Sequence, residues 1–135
     1  MPKAVSRVAV AILAVAVVAC GSTTAGSQEV AVNDSMNGQS VSVHAGDFVT
    51  VSLGSTYWAF GATSDASVIQ PQGDPVISPA PLGSCVPGAG CGTATARFKA
   101  LKLGNATITA TRLSCGEAMR CVGSAGLFQV TIVVS

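Results

Sequence analysis

The sequence predicts an all-β fold, an antiparallel β-sandwich of about seven strands. Three observations point there. Beyond residue 40, apolar residues recur at every second position in several separate runs, the period of a half-buried strand. Gly and Pro punctuate the chain at roughly 8–12-residue intervals, as sandwiches and barrels require. No segment after residue 20 sustains apolar spacing at the helical period.

The first element is not part of the fold. Met1 to Arg7 carries Lys3 and Arg7 and no acid, and Val8 to Ala19 is an unbroken apolar run. A bilayer span takes about 20 residues, whereas a signal-peptide apolar region takes about 7–15. The run closes with Val17-Val18-Ala19-Cys20 and then Gly21-Ser22. This resembles the bacterial lipobox, in which a small residue precedes the cysteine that receives lipid. The expectation is a lipoprotein signal peptide over 1–19, lipidation at Cys20, and a location on the outer side of a bacterial membrane. Several acyl chains, at about 0.8 kcal/mol per buried methylene, make a stable anchor. Gly21 to Glu29 is rich in Gly, Ser, Thr and Ala and reads as a flexible tether over 20–29, with a reach of roughly 15–18 Å. The domain proper is expected over 30–135.

The strands follow in order. Val41 and Val43 alternate with serine. After the turn His44-Ala45-Gly46-Asp47, Val49, Val51 and Leu53 alternate with Phe48, Thr50 and Ser52. Short strands are expected at Val68-Ile69 and Val76-Ile77, with Pro71, Pro75 and Pro79 confining them to an edge or loop. Ala94, Ala96, Phe98 and Ala100 share one face. Past a turn at Gly104-Asn105, so do Ala106, Ile108 and Ala110. The last set is Phe128, Val130, Ile132 and Val134. The opposite faces are rich in threonine, which suits a partly solvated sheet.

Five cysteines look odd for an exported chain until Cys20 is set aside. Cys85, Cys91, Cys115 and Cys121 then form an even set in an oxidising compartment. Each neighbouring pair brackets five residues. Pairing Cys85 with Cys91 and Cys115 with Cys121 is the simplest of three connectivities, and spacing does not select among them. Two short bridges contribute about 2 kcal/mol each by chain entropy. They either compensate for a small core or stiffen a binding surface.

Several function classes are disfavoured. Without the leader, five basic and six acidic side chains remain, so no basic stripe invites nucleic acid. The single histidine, His44, lies far from the cysteines, which argues against zinc. No Gly-x-Ser-x-Gly elbow and no carboxylate pair stands out. The expectation is a non-enzyme without cofactor or metal.

The loops between the strands carry a resemblance. "HAGDFVTVSL" (44–53), "GAGCGTATARFKALKLGNATITATR" (88–112) and "LFQVTIVV" (127–134) resemble, in order and framing, the chagasin-like inhibitors of papain-type cysteine peptidases. The resemblance implies an immunoglobulin-like sandwich whose three loops at one end enter a peptidase cleft. In that family the loops carry Asn-Pro-Thr-Thr-Gly with an aromatic and Trp, then Gly-x-Gly-Gly, then Arg-Pro-Trp. Here Ser55, Thr56, Tyr57 and Trp58 stand at the first loop, without the Asn-Pro-Thr-Thr-Gly run. Gly88, Ala89 and Gly90 stand at the second, with Cys91 in place of its last glycine. Arg112 matches the third, followed by Leu113 and Ser114 instead of Pro and Trp. Trp58 is either an exposed anchor beside the loops or the core tryptophan of an immunoglobulin-like sandwich, and a lone tryptophan is usually well buried. Two partners fit these expectations: a cysteine peptidase, or an envelope protein or glycan bound without inhibition. The lipid reading makes a direct prediction. Intact-mass analysis of chain isolated from membranes gives a species starting at Cys20 with added acyl mass, and unmodified mass there rejects the anchor.

Overall fold

The computed structural model describes Gly21 and residues 25–135. The expected signal peptide over 1–19 and lipidation at Cys20 lie outside the described residues. Among the described residues no helix is long and apolar enough to cross a membrane.

Nine strands form among these residues: β1 (Glu29–Asn33), β2 (Ser40–Val43), β3 (Phe48–Leu53), β4 (Ala59–Phe60), β5 (Ile69–Pro71), β6 (Val76–Pro79), β7 (Gly92–Ala100), β8 (Gly104–Thr111) and β9 (Leu127–Val134). They make two facing sheets. In the first the order is β1-β3-β7, with β5 and β6 sharing the far edge of β7; in the second it is β2-β9-β8-β4. The all-β sandwich expected from alternation is therefore present, and seven of its strands lie where the alternation placed them. The two additions are β1, which starts one residue ahead of the expected domain boundary, and the two-residue β4.

Alternation becomes burial directly. Val49, Val51 and Leu53 of β3 meet Ala94, Ala96, Phe98 and Ala100 of β7, and Ile108, Phe128, Val130 and Ile132 close the core from the second sheet. The small alanines let the sheets approach, and Phe98 and Phe128 fill the remaining volume. Removing either ring leaves a cavity, at a cost of about 3–5 kcal/mol.

Antiparallel pairing holds through the interior of both sheets and is amended at two edges. β1 pairs with β3 in parallel, Glu29 opposite Phe48 and Asn33 opposite Ser52. β2 pairs with β9 in parallel, Ser40 opposite Thr131 and Val43 opposite Val134. From β1 to β2 the chain crosses between sheets through a 3₁₀ turn, Asp34–Met36, whose Ser35 N–H is met by the Asn33 side chain. Asn37 then substitutes for a strand. Its Nδ2 donates to the Leu127 carbonyl at 2.9 Å, and its Oδ1 accepts from the Gln129 N–H at 2.9 Å.

The far edge of β7 is proline-marked, as the sequence implied. Beyond the paired residues of β5 and β6 the ladder is extended by the Gln72 N–H on the Arg97 carbonyl and the Ala80 N–H on the Cys91 carbonyl. Pro71 and Pro79 precede these donors by one position, so each proline nitrogen faces away from β7.

The parallel β1–β3 pair decides which end of the sandwich receives the chain. Glu29 sits beside the start of β3, at the end that carries the His44–Asp47 turn. The Asp47 carboxylate, almost fully buried, fastens this junction. It accepts the Gln28 N–H at 2.9 Å and the His44 N–H at 2.8 Å. The Gln28 bond above all, then the His44 bond, hold its pKa below the usual aspartate value. The sign follows by linkage: a lowered folded pKa stabilises above the unfolded value of about 3.9 and is lost as pH falls through the folded value. Asp47→Ala therefore lowers Tm at pH 7 and flattens the acid-side fall in Tm between about pH 4 and pH 2, measured by circular dichroism. An unchanged acid slope contradicts this assignment.

Candidate functional site

The two sheets bring three connections to the end opposite Gln28: Gly54–Trp58 after β3, Cys85–Cys91 before β7, and Arg112–Cys121 after β8. Antiparallel neighbours must turn at the same end, so the strand register alone gathers these loops. What remains is how they touch.

Contact runs through the second loop. The Thr56 N–H donates to the Gly90 carbonyl at 2.9 Å. The Tyr57 hydroxyl donates to the Gly88 carbonyl at 2.8 Å. That same carbonyl accepts the Glu117 N–H of the third loop at 3.1 Å. Both lone pairs of one oxygen are thus occupied by two different loops. The packing is equally close. A Cβ on Gly90, where φ is +68°, would run into the Tyr57 ring, and a Cβ on Gly116 would lie 3.3 Å from the Ala89 carbonyl oxygen. Glycine is required at 90 by space as well as by conformation.

The disulfides are Cys85–Cys91 and Cys115–Cys121, the simplest of the three connectivities. Within the first, the Ala89 N–H turns back on the Val86 carbonyl; within the second, the Cys115 N–H meets the Met119 carbonyl. Ser114 bridges Arg120 in antiparallel fashion, so the third loop is a narrowed continuation of the β8–β9 hairpin. At its tip Glu117 and Ala118 hold positive φ values of 44° and 64°. Non-glycine residues in this region are held there by their surroundings.

The sequence-selected residues divide into two groups. Ser55 and Trp58 are buried. Ser55 Oγ accepts the Tyr57 N–H at 3.1 Å and shapes the first loop. Trp58 is the core tryptophan, so of its two readings the exposed anchor is set aside. Its Nε1 is buried without a hydrogen-bond partner among the described residues. Arg112 lies over the indole, guanidinium carbon 4.5 Å from the ring centroid, and its Nε donates to the Ala125 carbonyl at 2.8 Å. Arg112 therefore braces the third loop against the core. Both residues also line a hollow of about 790 Å³ with Asp34, Asn37, Ser124 and Gln129.

The side chains that a partner would meet are others. Leu113 is 86% exposed, Met119 63% and Val86 59%, and Tyr57 keeps an open edge. Leu113 and Tyr57 were selected from sequence; Val86 and Met119 were not. The available signal was an apolar residue inside a cysteine-bracketed Gly-rich segment, where no strand period asks for one. Among the described residues no group of three or more His, Cys, Asp or Glu is arranged to hold a metal.

The sandwich is similar to solved structures. One is the crystal structure of the cysteine protease inhibitor EhICP2 from Entamoeba histolytica, with a TM-score of 0.54 and 11% identity, covering 80% of this chain and 96% of that one. Another is the solution structure of amebosin, with a TM-score of 0.52 and 12% identity, covering 82% of this chain and all of the other. These likenesses give the chain a chagasin-like, immunoglobulin-like fold. No family model and no curated protein sequence matches the chain.

The bracing role of Arg112 yields a measurable expectation. In the native chain Trp58 emission resists iodide quenching. Arg112→Ala removes the stacked cation, worth about 0.5–1 kcal/mol, and a charge-assisted hydrogen bond, so emission shifts to the red and quenching rises. An unchanged spectrum contradicts the stacking.

Proposed function

We propose that this chain is an exported, lipid-anchored, non-catalytic protein whose three-loop end inserts into the cleft of a papain-type cysteine peptidase and blocks it. The observation that carries the reading is the convergence of all three loops on Gly88-Ala89-Gly90. A wedge that enters a cleft must be one rigid body, and a surface ordered beforehand loses less entropy on docking. The fold neighbours lend support, since one of them is a cysteine protease inhibitor. The wedge here differs in chemistry from the family pattern. Apolar contact falls to Leu113, Met119 and Val86, which are exposed, in place of the missing tryptophan of the third motif. Lipid on Cys20 would place this wedge on the outer side of a bacterial membrane.

One observation favours a second reading. Ser55 and Trp58 of the first loop are buried, and Thr56 and Tyr57 are engaged with the second loop. Little of the first loop is left to reach toward a catalytic centre. An envelope module that binds a protein or glycan with the third and second loops, inhibiting nothing, uses the same surface.

Titration against papain-like peptidases separates the two. Inhibition that weakens about tenfold or more in Leu113→Asp, a loss of about 1.4 kcal/mol, supports the wedge. No inhibition at high micromolar chain rejects it, and a non-peptidase partner crosslinked in native envelopes then establishes the alternative.

A further inference from the structure

Exposed apolar side chains gather at two places besides the β6 edge: the three-loop end, and a single turn at the opposite end. That turn is Leu101-Lys102-Leu103, between β7 and β8, with Leu101 42% and Leu103 68% exposed. Two leucines on a three-residue connection are not part of the buried core, and a tight connection between strands is ordinarily polar.

The position of the turn is fixed by the junction described above. The Gly46 N–H donates to the Ala100 carbonyl at 2.8 Å, and the Ala100 N–H donates to the Asp47 carbonyl at 2.9 Å. Asp47 in turn holds the Gln28 N–H. One turn thus ties Ala100, the residue before Leu101, to Gln28, the residue before β1. The leucines lie beside the place where the N-terminal segment joins the domain.

The charges around this turn follow one arrangement. Lys102 is exposed between the leucines, and Lys99 lies half-exposed on the neighbouring strand. Arg97 is paired with Glu29 at 2.7 Å. Asp47 is spent on backbone N–H groups, and Asp65, near Lys102, is turned onto Ser67. His44 is exposed in the adjoining turn. Leucines that enter the acyl boundary while a lysine between them reaches the headgroups match a bilayer interface.

We infer that Leu101-Lys102-Leu103 is a lipid-contacting foot, on which the domain stands upright with its three loops directed away from the membrane. The inference rests on the lipid-anchor reading. A tether reaching about 15–18 Å keeps this end near the headgroups. β7, nine residues long at about 3.3 Å each, carries the loops about 30 Å further out. The partner is then a protein in the space beyond the membrane, not one embedded in it.

The test uses the acylated full chain in phosphatidylcholine–phosphatidylglycerol vesicles with brominated acyl chains. Leu103→Trp and Leu113→Trp report the two ends, above the buried Trp58 background. Expected is a blue shift with at least a halving of the added emission for Leu103→Trp, and neither for Leu113→Trp. Cosedimentation without quenching of Leu103→Trp overturns the foot and leaves the anchor. Quenching of Leu113→Trp alone shows the opposite orientation and overturns it too. Failure to cosediment removes the anchor and the foot together.

Discussion

Much of the candidate site depends on one carbonyl oxygen. Gly88 accepts a phenol from the first loop and a backbone N–H from the third, so three segments far apart in sequence share an acceptor. The glycines around it let a tyrosine ring and a neighbouring backbone approach. The two disulfides then prevent the second and third loops from opening and releasing the contact. Rigidity at this end is a property of the cluster, and no single loop would hold its shape alone.

The sandwich below it is simple by comparison. Val, Ile and Ala on alternate positions set both sheets, and these were plain in the sequence because a period of two survives in any one strand. β1 was not legible for a different reason. Val30 and Val32 do alternate, but they adjoin a Gly-, Ser- and Thr-rich stretch, and parallel pairing with β3 has no local signature. The same holds for Asn37, whose side chain does the work of a strand. Tertiary context alone gives that role to an asparagine.

At the site, residue type was a poor guide to the direction of a side chain. Ser55, Trp58 and Arg112 lie in loops at one end of the sandwich, but they face inward or brace, whereas Leu113 faces out. The sequence could not say which way each side chain turns, because that is decided by the contact between loops. Trp58 and Arg112 illustrate the coupling: the cation covers the ring while the Ala125 carbonyl holds its Nε in place.

The prolines on the outer rim of β7's short partners have a consequence for crowding. Pro71 and Pro79 stand at the positions whose backbone nitrogen points outward, and a proline nitrogen has no hydrogen to offer. A second molecule sliding alongside would find a donor missing from that rim at each proline, which weakens the pairing it could make. Copies packed shoulder to shoulder along this flank would therefore fuse less readily into a ribbon.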